Sequence, residues 1–180
     1  NVHIAGLIEI LGTSLYSRPE TAIRELIQNA HDAVMRRRHR ELNYTGRIDI
    51  AQDPAARTLT FHDDGVGLDA NEAETYLSTL GIGLTGLLKG RGAGLAGMSE
   101  AAATSPGSGG SLIGMFGVGL FSAFMLAERL VVESRKTDAA REDGVRWCAG
   151  PETDAVLTPC PRDQPGTTVM IHLKPQHARI

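Results

Sequence analysis

The sequence has few cysteines, no long apolar run and little net charge. Two cysteines among 180 residues, Cys148 and Cys160, provide neither a disulfide framework nor a cysteine-based metal site. No apolar run approaches the ~20 residues that cross a bilayer, and no signal-peptide pattern opens the chain. These absences favour a cytoplasmic protein that does not bind a membrane.

The balance of acidic and basic residues does not favour a nucleic-acid partner. The formal net charge is -3 at pH 7, whereas proteins that bind nucleic acid usually carry a basic face. One basic run, Arg36–Arg40, lies at the predicted end of a helix, where cations complement the helix dipole. We interpret this run as a solvated helix terminus.

Apolar periodicity divides the chain into helices and the strands of one sheet. The S-x-x-E pattern from Ser17 to Glu20 predicts the start of a helix that runs to about Arg40. Another helix is predicted over Val2–Ser14 and a third over Leu120–Glu128. The predicted strands are Arg47–Gln52, Thr58–His62, Arg129–Arg135, Val145–Ala149, Ala155–Thr158 and Thr167–Leu173. This order argues for a single α+β domain, with helices on one face of a mostly antiparallel, mixed sheet.

The helix that contains RELIQNAHDA carries a polar stripe. At about 100° per residue its members fall within an arc of roughly 60°; they are Glu25, Asn29, Asp32 and Arg36. The opposite side is predicted to be apolar and holds Ile23, Leu26, Ile27, Ala30 and Val34. The stripe is either a solvated helix face or one side of a pocket, and the wheel alone does not decide.

Two glycine motifs could provide the rest of such a pocket. FHDDGVGLD follows a predicted strand, and its glycines would let the backbone turn and approach a planar ligand, although a simple Asp-Gly turn has the same pattern. GMFGVGLFSAF, at Gly114–Phe124, runs from glycines into a helix, where free amide groups can bind an anion. A third pattern, GTTV at Gly166–Val169, is nearly uninformative by itself.

The order of these motifs resembles that of the GHKL ATPases, which include gyrase, MutL, histidine kinases and heat-shock protein 90. The stretches LYSRPETAIRELIQNAHDA and FGVGLFSAFMLAERLVVESR are most similar to the N-terminal nucleotide-binding domain of the heat-shock protein 90 family. The resemblance covers residues 1–180 and implies a Bergerat-type two-layer sandwich. It also implies that the glycine-rich span at about 81–114 is the ATP lid.

The resemblance assigns a role to each motif residue. Glu25 matches the general base for water attack on the γ-phosphate, and Asn29 matches the Mg²⁺ ligand. Asp63 matches the carboxylate that binds the adenine amino group, and Thr167 matches a hydroxyl beside it. The remaining residues implied to contact ATP or ADP are Asp32, Ala33, Arg36, Val66, Gly67, Leu68, Leu80, Phe116, Gly117, Val118, Gly119 and Leu120.

The chain departs from this family mainly in the lid. Where relatives usually read LGTIAKSGT, this chain reads LGIGLTG from Leu80, and Met115 stands where Gln is common. Arg36 stands where Lys is frequent. These departures indicate a divergent bacterial member and affect lid closure and hydrolysis rate more than nucleotide binding.

The implied function is ATP binding and slow Mg²⁺-dependent hydrolysis that drives the conformational cycle of a stress-response chaperone. Family members are longer, homodimeric chains that bind clients and co-chaperones, so residues 1–180 are expected to form an isolated, monomeric ATPase domain. Three alternatives stay open: a nucleotide-binding module without significant hydrolysis, a MutL- or topoisomerase-type ATPase, and a histidine-kinase catalytic domain.

Overall fold

The structure is a computed structural model that describes residues 19–75, 123–124, 126–150 and 153–178. Several predicted features lie outside the described residues. They are the helix over Val2–Ser14, the start of the capping box at Ser17, Leu80, the lid at about 81–114, and the glycine motif from Phe116 to Leu120.

The described strands form one antiparallel sheet. The strands are β1 (Ile48–Asp53), β2 (Thr58–Asp63), β3 (Ala127–Arg135), β4 (Val145–Gly150), β5 (Thr153–Pro159) and β6 (Gly166–Leu173). Their order in the sheet is β1-β2-β6-β3-β4-β5, so the last strand of the chain lies between β2 and β3. Every pairing among them is antiparallel. The predicted α+β class is confirmed, although the described sheet contains no parallel pair.

Helix α1 (Pro19–Arg40) packs against one face of this sheet. Pro19 suits the first turn because it has no N–H to leave unpaired, and Glu20 lies there too. Basic residues fill the last turn and complement the helix dipole. The predicted end of α1 at about Arg40 is confirmed. No helix within the described residues is long and apolar enough to cross a membrane.

The core lies between α1 and inward-facing side chains of the central strands. Burial alternates along β2, where Leu59 and Phe61 are buried and their neighbours are half-buried, as expected for a strand with one covered face. Ala22 and Leu26 of α1 contribute to this core, together with Leu126, Leu130, Val132, Trp147, Ile171 and Leu173. Cys148 and Cys160 are free thiols.

The predicted helix over Leu120–Glu128 is too long at its C-terminal end. Residues 123–124 and 126 are helical, but β3 begins at Ala127. Ala127 pairs with Leu173 of β6, and the register shifts between Ala127 and Arg129. Pairing with a neighbouring strand therefore outweighs local helical preference at this junction.

Candidate functional site

Helix α1 presents the predicted polar stripe at the edge of its buried face rather than opposite to it. Asn29 is only 9% exposed and lies among the buried residues Leu26, Ala30 and Ala33. The other three members, Glu25, Asp32 and Arg36, are partly exposed. Ile27, predicted to lie in the apolar half, is instead 38% exposed. The small side chains of Ala22, Ala30 and Ala33 are buried on the same side of α1 as Asn29.

Asp63 ends β2 on the face that α1 covers, and it is 5% exposed. It lies opposite Thr167 of β6 in the strand register. The carboxylate accepts a hydrogen bond from the Gly65 N–H, with an N···O distance of 2.9 Å, and another from the backbone of Thr167. Burial nevertheless raises the pKa of Asp63 to about 7, because two amide donors do not replace the lost water.

The neighbouring carboxylate, Asp64, has a structural role. Its side chain accepts hydrogen bonds from the Tyr44 hydroxyl and from the Arg47 backbone N–H, the second at 2.6 Å. Its backbone carbonyl accepts a bond from Arg37 at 2.6 Å. Asp64 therefore connects the end of β2 to the end of α1 and to the segment before β1. Asp63, in contrast, is buried on the face that α1 covers.

The loop Gly65–Leu68 is held between α1 and the end of β3. The Val66 N–H donates to the Ala33 carbonyl at 3.1 Å, which attaches the loop to α1. The Thr137 N–H donates to the Val66 carbonyl at 3.0 Å, which attaches the loop to the segment after β3. Val66 and Leu68 are both buried beside Asp63. The loop thus places apolar side chains next to a buried carboxylate.

The glycines of this loop are required by contacts within the protein. A Cβ on Gly65 would lie 2.5 Å from the backbone carbon of Ala33. A Cβ on Gly67, whose φ is +67°, would lie 1.9 Å from the Arg135 carbonyl oxygen. We predicted close approach to a planar ligand as the reason for these glycines. In the described residues these glycines allow the close approach of the loop to α1 and β3, and the approach to a planar ligand stays a prediction.

Thr167 and Ser134 extend the polar group around Asp63. Thr167 is 6% exposed and Ser134 of β3 is 1% exposed. Their hydroxyl oxygens are 2.9 Å apart, and the Leu68 N–H donates to the Ser134 oxygen at 2.8 Å. The family resemblance implied a role for Thr167, whereas Ser134 was missed. The available signal was a serine two residues beyond Val132, on the inward face of a strand.

Arg36 faces carboxylates within the protein. Its Nε donates to the Asp32 backbone carbonyl at 3.4 Å. Burial lowers its pKa, and the negative charges of Glu72, Asp32 and Asp63 partly offset that effect. The structure thus places the Arg36 charge on the acidic side of the site.

A capped helical segment follows the loop. Residues 70–75 are helical, and Asp69 and Glu72 form reciprocal side-chain to backbone bonds of 2.8 and 3.0 Å at the start. Lys136 binds both carboxylates, with Nζ···O distances of 2.9 and 2.8 Å. The hydrogen bonds that Lys136 donates to Glu72 and to Asp69, in that order of importance, raise the Lys136 pKa. We did not predict this cluster, although D-x-x-E is a readable capping signal.

We expect Lys136→Met to lower the free energy of unfolding by about 1 kcal/mol, because two partly buried ion pairs are lost. Denaturant unfolding would measure this change. Arg141→Met is the matched control, since its ion pair with Asp163 is exposed and should contribute nothing measurable. Equal losses in the two variants would contradict a special role for Lys136.

The structure therefore gathers most of the predicted site residues that it describes. Where α1, β2, β6 and the end of β3 meet, it places Ala33, Asp63, Val66, Gly67, Leu68 and Thr167. Asn29 lies one turn before Ala33 on the same face of α1. Glu25, Asp32 and Arg36 follow the edge of that face, whereas Leu80 and Phe116, Gly117, Val118, Gly119 and Leu120 lie outside the described residues.

This arrangement can bind a planar group that donates hydrogen bonds. Asp63 offers a buried acceptor, Thr167 offers a hydroxyl, and Val66 and Leu68 provide apolar surface beside them. Within the described part of the chain, no hydrogen bond or ion pair engages the Glu25 carboxylate or the Asn29 amide. These two side chains are one helical turn apart and are available to a ligand or to water.

An α+β sandwich that combines a strand-end carboxylate, a glycine turn and an E-x-x-x-N helix defines a class of ATP-binding domain. Residues 16–150 match the family described as histidine kinase-, DNA gyrase B- and HSP90-like ATPase. The chain belongs to this ATPase family.

The similar curated proteins are bacterial chaperones. The chain is 36% identical over 179 residues to the chaperone protein HtpG of Albidiferax ferrireducens, covering 95% of this chain and 26% of that protein. It is 36% identical over 183 residues to the HtpG of Methylorubrum extorquens, covering 95% of this chain and 27% of that protein. For the HtpG of Acinetobacter baylyi the identity is 34% over 179 residues, with 95% and 26% coverage. The chain thus spans about a quarter of the length of these relatives.

Proposed function

We propose that this chain binds ATP beneath α1 and hydrolyses it slowly, as the nucleotide-binding domain of a chaperone. The observation that carries the proposal is the buried Asp63 carboxylate, which lies beside Thr167 and the Val66–Leu68 turn in a member of an ATPase family. Gly65 and Thr167 donate to this carboxylate from the protein, and its remaining lone pairs can accept a hydrogen bond from a ligand.

In this proposal Asp63 accepts a hydrogen bond from the exocyclic amino group of adenine. Val66 and Leu68 cover the apolar surface of the base, and the Gly67 backbone permits the turn that places them there. Thr167 adds a hydroxyl next to the Asp63 carboxylate. The same base-binding role extends to Ala33, whose carbonyl holds the turn.

The phosphates extend along the polar edge of α1. Asn29 would hold Mg²⁺ through its amide oxygen, a ligand type that suits a hard cation. A bound Mg²⁺ would neutralise phosphate charge. Glu25 orients the attacking water and accepts its proton, while Asp32 and Arg36 adjust the charge around the phosphates. Leu80 and Phe116–Leu120 complete the proposed phosphate and lid contacts.

The cellular role follows from the relatives and is part of the proposal. All three relatives described above are named as chaperones, which favours this role over a DNA-repair, topoisomerase or histidine-kinase function. We propose that the ATPase cycle acts on client proteins in the cytoplasm, as part of a stress response. We also propose that residues 1–180 form one domain, monomeric by itself, of a longer homodimeric protein that binds co-chaperones.

The direct test is a calorimetric titration of the chain with ATP and Mg²⁺. We expect micromolar-to-millimolar binding that Asp63→Asn weakens by about tenfold to 100-fold, equivalent to the ~1–3 kcal/mol of an unpaired buried group. Asp64→Asn makes the same chemical change one residue away, at a carboxylate engaged by Tyr44 and Arg47. It should reduce stability and leave nucleotide affinity unchanged.

Undiminished binding by Asp63→Asn would refute the assignment of the adenine site. Absence of binding by the unaltered chain would refute the proposed function itself.

A further inference from the structure

Ser134 is a buried hydroxyl that connects three parts of the site. Its oxygen lies 2.8 Å from the Leu68 nitrogen, 3.1 Å from the Gly166 carbonyl oxygen and 2.9 Å from the Thr167 hydroxyl oxygen. Leu68 belongs to the loop Gly65–Leu68, which is the proposed apolar side of the base pocket, and Gly166 and Thr167 begin β6. One side chain therefore contacts both proposed walls of the base pocket.

The sheet register shows that Ser134 belongs to a polar row. Thr167 lies opposite Asp63 on one side and opposite Ser134 on the other. The next row on the same face is Phe61, Val169 and Val132, and the row after it is Leu59, Ile171 and Leu130. Three adjacent strands thus change from apolar to polar side chains at the same level. A purely structural sheet end beneath a helix would gain more from apolar side chains there.

Counting hydrogens shows what Ser134 can control. Its oxygen already accepts the Leu68 N–H, and its single hydrogen can go either to the Gly166 carbonyl or to the Thr167 oxygen. If Ser134 donates to Thr167, the Thr167 hydrogen is free to point at a ligand. If Ser134 donates to Gly166, Thr167 can donate to Ser134 and then offers only lone pairs. Ser134 therefore sets the hydrogen-bonding character that Thr167 presents beside Asp63.

We propose that Ser134 is a positioning residue for base selection. It fixes the Thr167 hydroxyl and the Leu68 backbone so that the pocket accepts a purine with an exocyclic amino group and rejects one with a carbonyl at that place. This inference rests on the proposed function, since it concerns the same nucleotide site. Ser134 acts through Thr167 and Leu68 and does not itself touch the base.

The experiment compares ADP with inosine diphosphate, which has a carbonyl where adenine has the amino group. Calorimetric titrations in Mg²⁺ would use the unaltered chain, Ser134→Ala and Val132→Ala. Val132 is the matched control, because it lies in the next row of the same strand and its truncation removes core volume without changing the hydroxyl row. Thermal unfolding of each protein would be measured in parallel.

We expect the unaltered chain to prefer ADP by at least about tenfold. Ser134→Ala should lose about tenfold in ADP affinity and show a smaller preference for ADP over inosine diphosphate, because Asp63 alone then favours the amino group. Val132→Ala should unfold at a lower temperature and keep the preference for ADP. A Ser134→Ala protein that keeps the full preference would overturn the proposal and leave Ser134 with a purely structural role.

Three further outcomes complete the test, and the last two separate this inference from the proposed function. If Ser134→Ala does not fold, Ser134→Thr retains the hydroxyl and must keep the ADP preference; a folded Ser134→Thr protein without the preference would overturn the proposal. If the unaltered chain binds ADP in an Asp63-dependent way but does not discriminate against inosine diphosphate, the nucleotide site stands and the inference about Ser134 fails. If it binds neither diphosphate, both fail.

Discussion

Glu25→Gln is expected to lower the rate of phosphate release from ATP at least about 100-fold, while ADP affinity remains within about twofold. A positioned general base typically contributes 10²–10⁴-fold to a proton-transfer step. Glutamine keeps the size of the side chain and can still bond to water, but it cannot accept the proton. Glu25 lies at the partly exposed edge of the buried face of α1, where water can reach it.

The measurement is steady-state phosphate release in excess ATP and Mg²⁺, with nucleotide affinity determined separately. Glu20→Gln is the matched control, because Glu20 lies in the first turn of the same helix and is exposed. It should hydrolyse ATP at the unaltered rate. Equal rates for Glu25→Gln and the unaltered chain would remove the catalytic role of Glu25. Binding without measurable hydrolysis by either protein would instead favour a nucleotide-binding module.

Strand positions could be read from the sequence because one face of the sheet is covered. Burial alternates along β2, with Leu59 and Phe61 inward, within the strand that was predicted over Thr58–His62 after the turn residues DPAAR. The predicted strands differ from the described ones by at most two residues at either end. Junctions were harder to predict, because alanine has the highest helical preference of all residue types, yet Ala127 pairs with Leu173 and so begins β3.

The rotation of α1 could not be predicted from its apolar residues. The wheel correctly places Leu26, Ala30 and Val34 inside, but it also places Ile27 there, whereas the structure buries Ala22 and Ala33 and leaves Ile27 38% exposed. Alanine has a small apolar surface and therefore contributes little to a helical wheel, but its small side chain allows a helix to pack closely against a sheet. The consequence for the candidate site is direct, because this rotation carries Asn29 into the buried face.

Contacts between residues that are far apart in the chain also could not be predicted from the sequence. Ser134 bonds to the Leu68 backbone across a sequence separation of 66 residues, and no local pattern encodes that pairing. The motif aspartates show the same limit. Asp63 and Asp64 are adjacent in DDG, and only the contacts of Asp64 with Tyr44 and Arg47 show which one faces away from the site.

Asp63 should make nucleotide affinity depend on pH near neutrality. Burial raises its pKa to about 7 in the free protein, and only the carboxylate form is a full acceptor for the adenine amino group. Protonation therefore competes with binding. We expect the Kd for ADP to increase about tenfold for each pH unit below about 7, and so about 100-fold between pH 7 and pH 5.

Titrations of the unaltered chain and of Asp63→Asn across this pH range would test the dependence. Ionisation of the ADP phosphates affects both proteins alike. A difference between the two proteins in the slope of log Kd against pH is therefore caused by Asp63. Equal slopes of log Kd against pH in the two proteins would show that protonation of Asp63 does not compete with ADP binding.

The same shift predicts the opposite trend in the stability of the free protein. Between its ordinary value of 3.8 and about 7, the folded Asp63 holds a proton that the unfolded chain has released. Stability therefore falls as pH rises through this window, by up to about 4 kcal/mol for a shift of about three units.

Relative to Asp63→Asn, the unaltered chain should lose stability from pH 4 to pH 8, while its affinity for ADP increases. The negative charge that we propose for adenine binding is thus destabilising in the free protein, and Asp63→Asn should unfold at a higher temperature at pH 8. Denaturant unfolding at these pH values would measure the difference, and a pH-independent difference would contradict it.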